Sequence, residues 1–205
     1  MDGSSAGPLR PIGLATSGAA PERRGRHDAA TADGVERTFP AHEIIVSKTD
    51  PRGVITYTND VFLRVSAYRE EEVLGRPHNV IRHPEMPRAV FALLWDTLAR
   101  GQEMFAYIVN LAGDGAHYWV LAHVTPSFGT DGRVVGYHSN RRSPDRSAVD
   151  AVRPLYRDLL AEERRHGSAR AAVAASSALL ARTLEDRGTS YDEHVWSLVP
   201  EEMAR

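Results

Sequence analysis

The sequence predicts an α+β fold built on one antiparallel sheet, and three observations carry that prediction. Strand-like and helix-like stretches are segregated along the chain rather than alternating. The strand-like stretches are joined by the short turn signals DPRG, AGDG and GTDG, as hairpins and meanders require. Hydrophobic residues make up 42% of the 205 positions and charged residues 25%, the balance of a globular chain with an ordinary core.

The elements follow in order. Residues 1–37 are rich in Gly, Ala, Ser, Pro and Arg and lack a sustained apolar period, which predicts a disordered leader. EIIVSKT and VITYT flank DPRG and predict a hairpin, with Gly53 at the position that needs a permissive backbone. Asn59 comes directly after the second strand and suits the N-cap of a short helix through Val65. SAYREEEVLGRPHN predicts short helical turns broken by Gly75 and Pro77, and the three prolines of PHNVIRHPEMP make that segment stiff and irregular. Phe91, Leu94, Trp95 and Leu98 recur at i, i+3, i+4 and i+7, an amphipathic helix that closes at Arg100-Gly101. EMFAYIVNL, AHYWVLAHVTP and RVVGYHSNRR then predict three strands in a meander. After Ser143 the period is helical again. Val149, Val152, Tyr156, Leu159 and Leu160 share a face, SARAAVAASSALLARTLEDRG forms an alanine-rich second helix, and Ser190 with Glu193 makes a capping box for a short last one. The expected boundaries are a leader over 1–37, the α+β domain over 38–144 and a helical extension over 145–205.

Composition excludes several classes of function. A formal charge of −2 gives no whole-chain attraction to nucleic acid or to an anionic membrane. No apolar run approaches the ~20 residues that cross a bilayer, and the first thirty lack the apolar core of a signal peptide, so a cytoplasmic protein is expected. The absence of cysteine rules out disulfides, thiolate metal sites and thiol nucleophiles. His117, His123 and His138 lack compact ligand spacing, so no metal site is expected. His83 and Glu85 form the one acid–base pair in reach of a possible cavity, and no nucleophile accompanies them; no catalytic residue and no enzyme are expected.

Residues about 40 to 160 resemble the PAS sensor domain of the bacterial aerotaxis receptor type. The matching stretches are ITYTNDVF, VSAYREEEVLGRPHNVIRHPEMP, FALLWDTLARG, DGAHYWV, VTP and VGYHSNR. The resemblance implies a PAS fold: a five-stranded antiparallel sheet with short helices on one face, here followed by C-terminal helices. It also implies a cavity for non-covalent FAD, lined at Asn59, Arg82, His83, Glu85, Trp95 and Asn110, and a redox or oxygen signal passed in trans to a chemoreceptor or other signalling protein. The chain departs from the family pattern at Glu85, where aspartate is common, at Met104, where tryptophan is usual, and at Val109 and Leu111, where basic residues flank the asparagine. Some sensors of this architecture bind haem instead, with His83 as axial ligand, and a ligand-free dimerisation module is the other alternative. The flavin–cysteinyl photochemistry of the blue-light branch requires a cysteine that this chain lacks.

The residues themselves leave alternatives open. The planar fork of Arg82 suits phosphate oxygens, and His83 can donate a hydrogen bond beside it; both could equally cap the next helix or pair with Glu85. Asn59 could read the edge of a heterocycle or serve as a helix cap. Alternation puts Met104, Ala106, Ile108 and Asn110 on one face of their strand, where a lone amide needs a partner. The other face carries Phe105, Tyr107, Val109 and Leu111, and four apolar residues there require a cover. Either the helices after Ser143 or the second subunit of a homodimer is expected to supply it.

Overall fold

The computed structural model describes residue 32 and residues 34–199. Five strands form one antiparallel sheet: β1 Ile45–Thr49, β2 Ile55–Thr58, β3 Met104–Leu111, β4 His117–Phe128 and β5 Val134–Arg142, in the spatial order β2-β1-β5-β4-β3. Between β2 and β3 lie α1 (Asp60–Ser66), α2 (Glu70–Val73), a 3₁₀ turn (His78–Ile81) and α3 (Arg88–Ala99). After β5 come α4 (Arg146–Glu163), α5 (Ala169–Asp186) and α6 (Tyr191–Ser197). This is the α+β architecture that the segregated pattern predicts.

Local chemistry explains the boundaries. In the β1–β2 turn, Asp50 Oδ1 accepts the N–H groups of Arg52 and Val54, while Gly53 takes φ +78°. That left-handed geometry carries no Cβ penalty in glycine. The side chain of Asn59 accepts Phe62 N–H at the start of α1, and the Ser190–Glu193 capping box opens α6. α3 begins immediately after Pro87, as proline's restrictions on helix entry favour. In β5, a Cβ on Gly136 would collide with the Thr49 carbonyl, so glycine lets β1 and β5 close together there.

The sheet has two faces, and helices cover both. α1 and α3 lie against the inner face, from which Ile45, Ile108, Tyr118 and Val120 enter the core. On the outer face, Tyr107, Val109, Trp119 and Leu121 are buried beneath Val149, Val152 and Tyr156 of α4. The Tyr156 hydroxyl donates to the Tyr107 carbonyl at 2.5 Å and its ring stacks with Trp119 at 6.1 Å. Trp196 of α6 covers Phe105, with ring centroids 4.6 Å apart. The chain thus covers its own outer face, and α5 packs against both α3 and α4.

Of the leader expected over 1–37, residues 1–31 and 33 lie outside the described residues. Its last residues run along β4: His117 N–H donates to the Val35 carbonyl at 2.8 Å, and Arg37 N–H to the His117 carbonyl at 2.7 Å. The Arg37 guanidinium donates to the Val65 carbonyl and pairs with Asp114. Backbone pairing with a strand needs no apolar period, which is why composition alone placed these residues outside the domain.

Candidate ligand-binding cavity

The inner face of the sheet and α3 enclose a cavity of about 260 Å³. Its apolar wall includes Ile108, Leu94 and Leu98. Most of its polar wall comes from two strands, β1 and β5, whose registers align: Ser47 pairs with Ser139, Thr49 with Tyr137, and Ile45 with Arg141, so alternation turns Ser47, Thr49, Ser139 and Arg141 inward together. Asn110 reaches the same space from β3, where a backbone bridge to Arg82 closes the edge.

Four atoms on this wall are buried without a hydrogen-bond partner: Thr49 Oγ1, Asn110 Nδ2, Ser139 Oγ and Arg141 Nη1. A buried polar atom left unpaired costs about 1–3 kcal/mol. Such atoms occur elsewhere in the chain, but here four line one cavity. Arg141 Nη2 does have partners, Ser47 Oγ at 2.9 Å and His78 Nε2 at 2.6 Å. Enclosure of the His78 ring, with the adjoining Arg141 cation, pushes its pKa down to about 3, so it stands there as a neutral acceptor.

The six residues singled out from the sequence divide into three groups. Arg82, Trp95 and Asn110 line the cavity. Arg82 Nη2 donates to the Met86 carbonyl at 3.1 Å while its guanidinium lies over the Phe91 ring, which leaves the fork at the rim. Trp95 is 43% exposed and meets Tyr137 edge-on at 5.4 Å. His83 and Glu85 border instead a groove beside α4, with His117 and Arg153, and do not line the cavity. His83 Nδ1 accepts Glu85 N–H at 3.1 Å, a local turn contact that directs the ring away from the cavity. His83, the expected axial ligand in the haem alternative, thus borders that groove and not this cavity. Asn59 does not line it either: its Oδ1 accepts from Val46 and Phe62, and its Nδ2 donates to the Ile44 carbonyl at 2.8 Å. Among the described residues no cluster of His, Asp or Glu could hold a metal ion.

Ser47, Thr49, His78, Ser139 and Arg141 were not singled out from the sequence. The signal was present, since alternation puts Tyr137, Ser139 and Arg141 on one face of β5, as it puts Asn110 on the inner face of β3. Reading it required the strand register, which only the fold supplies.

Residues 55–141 match the PAS fold family. This region is a PAS domain. Over 115 residues the chain is 41% identical to the aerotaxis receptor of Escherichia coli (strain K12), an alignment that covers 56% of this chain and 22% of the receptor. It is 30% identical over 104 residues to phototropin-1A of Oryza sativa subsp. japonica, covering 51% of this chain and 11% of that one. A solved structure of a light-oxygen-voltage domain, described in connection with a flavin analogue, matches with TM-score 0.48 and 23% identity, over 60% of this chain and 87% of that one. The chain thus spans about a fifth of the receptor's length. No helix among the described residues is long and apolar enough to cross a membrane.

Proposed function

We propose that this PAS domain is a redox sensor that binds a flavin, FAD, and reports to a chemotaxis-type signalling partner in trans. The observation that carries the reading is Asn110. The residue is 4% exposed, its Nδ2 lacks a partner, and it lies on the wall of the cavity. The likeness to the aerotaxis receptor supports a flavin as the occupant.

The residues present fit such a ring. Unpaired donors and hydroxyls on Asn110, Ser139 and Thr49 complement the carbonyls and ring nitrogens of a heterocycle's edge, and Phe91, Trp95 and Leu98 offer flat or apolar surface. The volume of about 260 Å³ lies just below the roughly 300–1,000 Å³ typical of small-molecule sites. It suits a ring system rather than an entire dinucleotide, whose phosphates would lie beyond the rim where Arg82 stands. When bound, a flavin supplies a ring that takes up and returns electrons. The chain's own residues hold the ring, exclude water and register the change in its hydrogen bonding.

Asn110 and Tyr107 belong to the same strand, and the Tyr107 carbonyl holds the Tyr156 hydroxyl of α4. A shift at Asn110 therefore has a short route to the α4 cover on the other face, and a two-state contact there is what a partner would read.

The test is an absorbance spectrum of the freshly purified protein before and after dithionite. Flavin bands that bleach are expected, and Asn110→Leu should retain at least tenfold less FAD. A colourless protein that takes up no FAD on reconstitution, or one with a Soret band, sinks the reading.

A further inference from the structure

One end of the cavity holds a charge that no acidic group among the described residues neutralises. Arg141 is 4% exposed, and its two side-chain hydrogen-bond partners, Ser47 and His78, are neutral acceptors. Its guanidinium also lies over the Phe62 ring at 5.9 Å. Among the described residues it joins no ion pair, and the one titratable side chain that favours its charge is the Tyr118 phenol. Nη1 is left without an acceptor on the cavity side. Burial pushes the guanidinium pKa down to about 10, still well above neutrality, so the cation persists.

An unpaired buried charge is among the most unfavourable features a fold can retain, because the water it gave up has no replacement. The remaining polar groups sharpen the point. The orphaned nitrogens at this cavity, Asn110 Nδ2 and Arg141 Nη1, are donors, and no carboxylate lines it. A cationic ligand would meet repulsion there, and the two orphaned hydroxyls, Thr49 Oγ1 and Ser139 Oγ, can donate as well as accept.

We infer that Arg141 makes this cavity selective for a planar ligand whose buried edge is rich in acceptors and carries, or gains, negative charge. The inference rests on reading the cavity as a ligand site but does not require the ligand to be a flavin. A flavin meets the condition when its ring takes up two electrons and one proton, a net gain of one negative charge. Dithionite, oxidised to sulfite, supplies those electrons, and the solvent supplies the proton.

Arg141→Gln keeps donors at the position and removes the charge, while Arg141→Lys keeps the charge and changes the shape. In FAD-loaded protein, Arg141→Gln is expected to reduce the preference for reduced over oxidised FAD about tenfold. For a two-electron couple that lowers the midpoint potential by about 30 mV. Arg141→Lys is expected to stay near the wild-type potential. An unchanged potential in Arg141→Gln, or an equal fall in both variants, overturns the inference, because a merely structural arginine would not separate them by charge. Should the protein take up no FAD, the flavin reading fails on its own, and benzoate and benzamide replace it as probes of matched shape and different charge. Benzoate is then expected to raise the Tm of the wild-type protein more than benzamide does, and to lose that advantage in Arg141→Gln. Equal shifts, or none, overturn the inference.

Discussion

Asn59 and Asn110 carry the same amide into different surroundings. The carbonyl of Asn59 serves two backbone donors and its nitrogen one backbone acceptor, tying α1 to β1. Asn110 leaves its nitrogen unpaired at the cavity. Asn59→Ala should therefore cost about 0.5–2 kcal/mol of stability, the range for losing an N-cap, with FAD uptake unchanged. Urea denaturation beside a flavin titration measures both, and a loss of uptake without a loss of stability would contradict the assignment. His78 makes a prediction in pH. Its folded pKa, about 3, lies below the ordinary 6.5, so the unfolded chain binds the extra proton more readily. The contribution of the neutral ring is fully present above about pH 6.5 and is lost as pH falls towards 3. The stability-versus-pH curve of His78→Gln should be shallower than that of the wild type across this window. Parallel curves would refute the buried neutral histidine.

At the scale of elements, α3 is the part that joins the cavity to the C-terminal helices. Its apolar period was readable from Phe91, Leu94, Trp95 and Leu98, but its N-terminal cap was not. Pro87 has no side-chain donor or acceptor for a cap, and the role falls to Glu163 at the far end of α4. Glu163 Oε1 accepts Arg88 N–H at 2.6 Å and Ala89 N–H at 3.3 Å, and receives the Ser176 hydroxyl of α5 at 3.1 Å. With its side chain 9% exposed, this carboxylate compensates the positive end of the α3 dipole in a sheltered place. Glu163→Ala should lose about 1.5–3 kcal/mol, the value of hydrogen bonds to a charged group. Faster hydrogen exchange should appear at residues 88–90 and in α5. Exchange unchanged at both would show that the cap is dispensable. No spacing rule could have predicted a partner 75 residues away.

At the scale of the molecule, the central fact is that both faces of the sheet are covered. The alternation of β3 called for a cover over Phe105, Tyr107, Val109 and Leu111, and α4 and α6 supply it within the chain at Phe105, Tyr107 and Val109. Each fully buried aliphatic side chain contributes roughly 1.5–3 kcal/mol to this contact. A charge placed inside it should reverse the balance. Val152→Asp, on the buried face of α4, is expected to release α4–α6 and expose the apolar sheet face, so that light scattering detects self-association while the strands keep their exchange protection. A monomer with unchanged exchange in α4 would show that this cover does not depend on apolar burial.

The amino-acid sequence alone determined the order of elements, the three turns and the capping residues of α1 and α6, and the need for something to lie on the back of β3. These are local properties: a hydrogen bond between near neighbours, a φ that glycine tolerates, a face that alternates or recurs. The tertiary structure decided which polar residues share a wall. Arg82, Trp95 and Asn110 meet across a cavity while His83 and Glu85, one and three residues past Arg82, turn out of it because a backbone N–H takes the imidazole. Ser47, Ser139 and Arg141 converge only because the β1–β5 register sets them side by side. Register joins residues some ninety positions apart, and no single stretch of chain contains that information.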